Sequence, residues 1–345
     1  MSEGQRPVRS AGGGFPEEGE AFVEALWLQA RGFMESRALL SAIELDVFTA
    51  VGAGGTAAEI ARRLGADERG TSYLLHHLAA ARLLLKERDT FRNTPWTARV
   101  LAADSPECVR NGMLHMVHLW DRWSHLTASV RSGAPAPREE RDEEATETFI
   151  AAMHGNASSR APHLVRAAGI DGVRRMLDVG GGSGAYSIAF AQASPALHAE
   201  VLDQEDVVPI AQRHIDEAGL TDRVRTRIGD LRTDAFGSGY DLVLLSAVCH
   251  MLGPDEVRDL IRRAAASLAS GGRVVVQDHV LQTDKTGPRP GTLFALNMLV
   301  NTIAGGNYSA DEYRAWMVAA GLDDVRQVPL PGPTALMIGR RVGSA

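Results

Sequence analysis

The chain has 345 residues, of which 45% are hydrophobic, and a formal net charge of −7. This length predicts two domains with packed cores, and the acidic balance disfavours nucleic acid and anionic membranes as main partners, so we expect a small-molecule ligand. Cys108 and Cys249 are the only cysteines, which excludes a disulfide framework and favours a reducing cytoplasm.

The first part of the chain is predicted to be mainly helical. Residues 1–20 are rich in Gly, Pro, Arg and Glu and predict a disordered tail, not a signal peptide or a membrane span. Apolar residues at helical spacing predict two amphipathic helices over 21–51. A winged-helix order follows: a helix over 57–64 capped by Thr56, a helix over 73–85 started by Ser72, and a polar hairpin over 86–94.

A winged helix raises the possibility of DNA binding. The second helix would enter the major groove, a role that needs basic residues at its N-terminal end. Here its face is largely apolar, with Leu74, Leu75 and Leu78, in an acidic protein. We therefore expect packing or dimerisation, and a winged-helix regulator that senses an adenosine ligand is the alternative.

Residues 108–132 are predicted to form one helix dense in aromatic, Met and His side chains. His115, His118 and His125 could in principle hold a metal, but ligands along one helix rarely close around one ion, so no metal is expected. These side chains suit the wall of a pocket for a flat organic substrate, and plain core packing is the alternative. The prolines and charges of 131–145 predict a surface connection.

From Phe149 the pattern changes to strands that alternate with helices, which predicts a doubly wound α/β sheet. Seven strands are predicted, the last two antiparallel, over 175–178, 199–202, 224–228, 240–245, 273–277, 325–328 and 335–338. The predicted helices cover 186–192, 207–219, 255–268, 293–303 and 310–320, and Ser309 with Glu312 forms a capping box for the last.

The stretch Leu177–Gly184 closes a strand on Asp178 and opens into glycines. Glycines at a strand-to-helix corner let backbone N–H groups approach a ligand closely. The spacing of Gly180, Gly182 and Ala185 also satisfies the loose dinucleotide fingerprint, so NAD stays open on this motif alone.

Acidic residues at the next two strand ends favour an adenosine ligand. Asp203 follows the glycines by about 20 residues, where a carboxylate accepts both ribose hydroxyls. Asp230 can accept from an adenine amino group while Leu231 covers the ring. The alternative is that both acids cap loops. The chain lacks a Tyr-x-x-x-Lys proton relay, which disfavours an NAD-dependent oxidoreductase.

Together, these segments resemble the S-adenosylmethionine-dependent small-molecule O-methyltransferases, the family of plant caffeate and isoflavone enzymes and bacterial antibiotic-pathway enzymes. The resemblance covers nearly the whole chain after the tail and rests on five segments: Leu177–Gly184, Leu202-Asp203, Gly229-Asp230-Leu231, Cys249-His250 and Gly271-Gly272-Arg273. It implies a Rossmann-like, seven-stranded class I methyltransferase domain over 161–345. It also implies a winged-helix dimerisation domain over 21–110, a helical connection over 111–160 that contributes to the pocket, and a homodimer.

The resemblance assigns the general base to His250. A phenol with a pKa near 10 is mostly protonated at neutral pH, and a base with a pKa near 6.5 suits its activation. The plant enzymes follow this base with Asp-Trp and orient it with a later Glu. Here Met251-Leu252 follows, and 305–308 holds no acid, so the orienting partner is expected among Asp278, Asn297 and Asn301.

The remaining predicted site residues belong to two groups. The cofactor S-adenosylmethionine is expected to contact Asp178, Gly180, Gly182, Asp203, Gln204, Gly229, Asp230, Leu231 and Ser246. The substrate pocket is expected to include His118, Trp120, Trp123, Met153, His154, Phe294, Met298 and Asn301. His154 and His279 could provide a second acid–base group. The alternative is that each is an ordinary structural histidine in a loop or at a strand end.

The predicted reaction is methylation of a hydroxyl group on an aromatic secondary metabolite, such as a polyketide, an indole or another phenol. A C- or N-methyltransferase of the same fold is the alternative.

Overall fold

A computed structural model describes residues 19–137 and 143–342, with the backbone alone for 143–149, 151, 152 and 156. The chain divides after Arg110 into two compact units. Most of the tail predicted over 1–20 lies outside the described residues, and Glu20 already begins the first helix. Across the described parts, none of the helices combines the length and the apolar character needed to cross a bilayer.

The first unit is helical with one hairpin. Its elements are α1 (Glu20–Glu44), α2 (Val47–Val51), α3 (Ala57–Leu64), α4 (Glu68–Ala80), β1 (Leu84–Glu87), β2 (Thr90–Asn93) and α5 (Pro95–Leu101). Thr56 caps α3 as predicted, because its side chain accepts from the Glu59 N–H and Glu59 accepts from the Thr56 N–H. The predicted start of α4 at Ser72 is wrong. Asp67 is the cap and accepts from the Gly70 N–H at 2.8 Å, so Ser72 lies inside the helix.

Three helices open the second unit: α6 (Arg110–Ser124), α7 (Leu126–Ser132) and α8 (Glu143–Ala168). The prediction of a single helix over 108–132 is wrong, because the structure has two helices there, separated at His125. The Nδ1 atom of His125 lies 2.9 Å from the Asp121 carbonyl oxygen and satisfies a backbone group at the helix end. The sequence did not predict α8, whose Pro162 lies inside the helix.

A seven-stranded sheet forms the rest of the second unit, as predicted. Its strands are β3 (Arg175–Val179), β4 (His198–Asp203), β5 (Val224–Ile228), β6 (Tyr240–Ser246), β7 (Leu268–Asp278), β8 (Leu322–Pro329) and β9 (Ala335–Arg341). Their order is β5-β4-β3-β6-β7-β9-β8. Strands β3 to β7 pair in parallel, and β9 runs antiparallel to both β7 and β8.

The helices between and after the strands are α9 (Ala185–Ala193), α10 (Val208–Glu217), α11 (Pro254–Ala266), α12 (Arg289–Asn301) and α13 (Ala310–Ala319). Ser309 and Glu312 form the predicted capping box of α13. Strand β7 begins earlier than predicted and includes Gly272, where the pairing register with β6 shifts. A Cβ on Gly272 would lie 2.8 Å from the Tyr240 carbonyl oxygen, so the irregular pairing needs a glycine.

Alternating side chains of the strands fill a core on each face of the sheet. Leu177 and Val179 pack with residues of α11 and α13, whereas Met176 packs with residues of α8, α9 and α10. Because both faces are covered, a ligand site is expected at an end of the sheet. The strand order reverses beside β3, and in such folds the crevice lies at the carboxyl ends of the strands next to this reversal.

Candidate active site

The glycine turn over 180–184 connects β3 to α9 at this carboxyl edge. Gly180 has a φ of 66°, and its N–H donates to the Leu202 carbonyl at 2.8 Å. A Cβ on Gly180 would lie 2.6 Å from Val248 Cγ1, so this position excludes larger residues. Gly182 has a φ of 57°, and a Cβ there would meet no atom within 4 Å. The turn is therefore packed at Gly180 and open at Gly182.

Asp178 lies beneath this turn and is fully buried. Its Oδ2 atom accepts from the Ser187 hydroxyl at 2.9 Å, and its Oδ1 atom has no partner among the described residues. Burial raises the pKa of Asp178 to about 7, the charge of Asp203 adds to the rise, and the Ser187 hydrogen bond opposes it. The turn thus covers a carboxyl group that is poised to change its charge near neutral pH.

Asp203 ends β4 and contacts the glycine turn directly. It accepts from the Gly182 N–H at 2.7 Å and from the Gln204 N–H at 2.8 Å. Burial raises its pKa, although these two N–H groups oppose the rise. Each carboxylate oxygen keeps a further lone pair for a ligand hydroxyl. The Gln204 side chain is exposed.

The loop after β5 lies beside the same turn. Leu231 Cδ2 would be 3.4 Å from a Cβ on Gly180. The Asp230 carboxylate accepts from the Arg232 N–H at 2.8 Å, and a Cβ on Gly229 would lie 3.0 Å from Asp234 Oδ2. The structure therefore brings Leu231 to the glycine turn and fixes the Asp230 loop next to it.

Ser246 ends β6, and its hydroxyl is buried. It donates to Gln277 Oε1, and Gln277 Nε2 donates in turn to the Thr334 hydroxyl at 3.1 Å. The hydroxyl predicted to contact the cofactor is therefore bonded to a side chain of the neighbouring strand β7.

His250 lies in a 3₁₀ turn (Cys249–Met251) after β6 and is bonded twice to Asp278 at the end of β7. Its Nδ1 atom lies 2.7 Å from Asp278 Oδ1, and its backbone N–H donates to Asp278 Oδ2 at 3.0 Å. Asp278 also accepts from the His279 N–H at 2.8 Å. Burial alone would raise the pKa of Asp278, but the charge and hydrogen bond of His250 hold it below its usual value. Of the His250 side chain, 11% is exposed.

Phe294 of α12 lies between two histidine rings. Its ring is edge-on to His250, with centroids 4.9 Å apart, and stacks on His279 at 4.0 Å. Burial lowers the pKa of His279 to about 4, a fall that the charge of Asp278 opposes. His279 is therefore neutral at pH 7, and its buried Nδ1 atom has no partner within the described residues.

Asn297 and Asn301 bond to each other and not to the predicted base. Asn297 Oδ1 accepts from Trp123 Nε1 at 2.9 Å and from Asn301 Nδ2 at 3.1 Å. Among the three candidate orienting partners, Asp278 is the one bonded to the His250 ring. The Trp123 bond ties α6 to α12.

The other predicted pocket residues have different surroundings. His118 is exposed, Trp120 and Met153 are half-buried, and Met298 is buried. His154 Nδ1 lies 2.9 Å from the Ser183 hydroxyl in the glycine turn. Within the described residues, no cluster of three or more His, Cys, Asp or Glu side chains could hold a metal.

Some contacts in this region were not predicted. The Ser187 bond to Asp178 and the packing of Val248 against Gly180 depend on tertiary structure, and neither residue belongs to a sequence motif. Gly305 also contacts the His250 turn. A Cβ there would lie 2.4 Å from the His250 carbonyl oxygen, and the glycine pair at 305–306 was the available signal.

Comparisons with known proteins match both units of the chain. A model of the O-methyltransferase domain matches residues 123–323, and a model of the O-methyltransferase dimerisation domain matches residues 27–103. The chain is 34% identical to 3-hydroxy-5-methyl-1-naphthoate 3-O-methyltransferase of Streptomyces sahachiroi, over 89% of this chain and 91% of that protein. It is 32% identical to the tetracenomycin polyketide synthesis 8-O-methyltransferase of Streptomyces glaucescens, over 90% and 94%.

Solved structures share the fold over nearly the whole chain. Human N-acetylserotonin methyltransferase in complex with S-adenosylmethionine superimposes with a TM-score of 0.84 at 26% identity. The superposition covers 94% of this chain and 99% of that chain.

Proposed function

This chain belongs to the O-methyltransferase family and is an S-adenosylmethionine-dependent methyltransferase, and we propose that it methylates a hydroxyl group of an aromatic secondary metabolite with His250 as the general base. The observation that carries the proposal is the buried His250–Asp278 pair, which lies at the same edge of the sheet as the glycine turn. This edge is where the cofactor and the nucleophile must meet.

The residues of this edge fit the cofactor. The unpartnered Oδ1 atom of Asp178 offers a buried negative charge to a cationic amino group, and the open side of Gly182 admits a ligand close to the backbone. We propose that Asp203 holds the ribose and Asp230 the adenine, because both acids follow strands that end at this edge. When bound, S-adenosylmethionine supplies a methyl group on a positively charged sulfur.

Asp278 determines which nitrogen of His250 can act as a base. A carboxylate that accepts at Nδ1 holds the ring proton there and leaves Nε2 as the proton acceptor. Nε2 can then take the proton of a phenol. With S-adenosylmethionine bound, the phenol oxygen would accept the methyl group as its bond to sulfur breaks, and S-adenosylhomocysteine would leave. Asp278, with its low pKa, stays ionised and stabilises the positive ring that forms.

The surroundings of His250 suit an aromatic substrate. Phe294 provides a flat apolar ring beside the base, and aromatic side chains favour stacked or edge-on neighbours. The neutral His279 adds no charge that would oppose protonation of His250. Because similar proteins are named for a hydroxynaphthoate, for tetracenomycin polyketide synthesis and for N-acetylserotonin, we propose a phenolic polyketide, an indole or a similar phenol as substrate.

We also propose that the chain is a homodimer assembled through its dimerisation domain. The helix α1 exposes a row of large apolar side chains on the isolated subunit, among them Val23, Trp27 and Phe33. Exposed apolar surface of this kind marks an interaction site.

The test is methyl transfer from labelled cofactor to a panel of hydroxynaphthoates, phenolic polyketides and indoles, with and without the base. We expect His250→Ala and His250→Asn to lower kcat by about 10²- to 10⁴-fold while the Kd for S-adenosylhomocysteine is kept. The residual rate should rise with pH as the phenol ionises unaided. His198→Ala, an exposed histidine at the opposite end of the strands, is the matched control. Full activity of His250→Asn, or a product methylated on carbon or nitrogen, would contradict the proposal.

A further inference from the structure

His154 of α8 contacts the middle of the glycine turn. Its Nδ1 atom lies 2.9 Å from the hydroxyl of Ser183, which is buried between Gly182 and Gly184. Both glycines have positive φ angles, 57° and 73°. Glycines in this region have more conformational freedom to lose than other residues, so the turn needs tethers to hold one shape.

The other ring nitrogen of His154 is also engaged. The Ser158 hydroxyl lies 3.2 Å from Nε2, one helical turn further along α8. Because both nitrogens are bonded to hydroxyl groups, neither is left to accept a proton from a substrate. The contacts therefore favour a structural task over the second acid–base role weighed from the sequence.

One face of the ring is covered as well. His154 stacks on His214 of α10, with centroids 3.8 Å apart and planes 8° apart. Burial lowers the pKa of His154, and the charge of His214 adds to the fall, while Glu217 opposes it. The neutral ring stacks without charge repulsion, so its orientation is fixed at both edges and on one face.

The tether from α8 complements two others. The Gly180 N–H bonds to the Leu202 carbonyl and the Gly182 N–H bonds to Asp203, so both of those tethers come from β4 and its end. We propose that His154 is a positioning residue for the cofactor: its hydrogen bond to Ser183 holds the glycine turn in its binding shape before S-adenosylmethionine arrives. Ordering the turn in advance removes part of the entropic cost of binding. The proposal concerns cofactor binding and does not depend on His250 being the base.

The test distinguishes the contribution of His154 Nδ1, which contacts Ser183, from that of Nε2, which contacts Ser158. An asparagine side chain places a polar atom near the position of Nδ1, and a glutamine places one near Nε2. We expect His154→Ala, His154→Gln and Ser183→Ala each to raise the KM for S-adenosylmethionine and the Kd for S-adenosylhomocysteine about tenfold, the effect of one lost buried hydrogen bond. His154→Asn should keep a cofactor affinity close to that of the wild type. In all four variants, kcat at saturating cofactor should stay within about twofold of the wild-type value.

Two controls distinguish this role from general stability. Ser158→Ala removes the bond at Nε2 and leaves the bond to Ser183, so its loss of cofactor affinity should be smaller than that of Ser183→Ala. The double variant His154→Ala, Ser183→Ala should bind no more weakly than either single variant, because the pair makes one interaction. Unchanged cofactor affinity in Ser183→Ala, equal affinities of the Asn and Gln variants, or additive losses in the double variant would overturn the proposal.

Discussion

Gly305 lies against the turn that carries the proposed base, and replacing it with alanine should disable methyl transfer. Its N–H donates to the Thr302 hydroxyl at 2.9 Å, which fixes this segment after α12. A Cβ at this position would lie 2.4 Å from the His250 carbonyl oxygen and 2.5 Å from Thr302 Oγ1. Gly305 does not have a positive φ angle, so the expected effect of alanine comes from the close contact and not from backbone strain.

The size of the effect follows from the distance. Ordinary contacts of Cβ atoms begin near 3.4 Å, so the two backbones must separate by the difference between 3.4 and 2.4 Å, about 1 Å. A displacement of about 1 Å in a catalytic group costs about 10²-fold in rate, and overpacking costs about 1–3 kcal/mol of stability. We therefore expect Gly305→Ala to lower kcat about 10²-fold and to leave the cofactor site intact.

The measurement compares Gly305→Ala with Gly306→Ala. A Cβ on Gly306 meets no atom within 4 Å, so the neighbouring variant is a matched control with the same chemical change. Both are assayed for kcat and for the Kd of S-adenosylhomocysteine, at a temperature below their melting points. Wild-type kcat in Gly305→Ala would refute the reasoning, as would an equal loss in Gly306→Ala.

Three further predictions concern the proposed site. Asp278→Asn removes the charge that stabilises a protonated His250, so kcat should fall about 10²-fold or more with unchanged Kd for S-adenosylhomocysteine; a change confined to Kd would contradict this. Asp178 has a pKa of about 7, and its carboxyl group is protonated and uncharged below that pH, so cofactor affinity should weaken as pH falls from 8 to 6. Asp178→Asn should flatten this dependence of cofactor affinity on pH in calorimetry. An unchanged slope of affinity against pH would refute the role of Asp178 in cofactor binding. Trp123→Phe removes the bond to Asn297 and should raise the KM for the aromatic substrate alone; an equal rise for the cofactor would argue against a pocket role.

The carboxyl edge of the sheet was the most predictable part of the molecule. Parallel strands of buried residues bring their ends to one edge, so Asp178, Asp203 and Asp230 fall near the glycine turn whatever the details of the helices. The pairing of His250 with Asp278 was among the candidates for the same reason, since β6 and β7 are neighbours that end together.

The helical regions were less predictable because side chains set their boundaries. Asp67 and Ser72 are both good caps, and the sequence alone does not rank them. The helical pattern continues through His125, yet α6 ends before it, and the His125 ring contacts the Asp121 carbonyl oxygen at that end. The contact of His154 with Ser183 joins α8, which was not predicted, to a distant turn, and no local pattern encodes such a pairing.

Asp278 holds both the backbone and the ring of His250, and this has a consequence for redesign. Both bonds come from Asp278 at the end of β7, which pairs with β6, so the position of the proposed base is tied to the pairing of these two strands. The proposed aromatic pocket residues lie on separate helices, with Phe294 on α12 and Trp123 on α6. We therefore expect that a library of substitutions on those two helices can change the substrate range while the His250–Asp278 pair beside β6 and β7 stays unchanged.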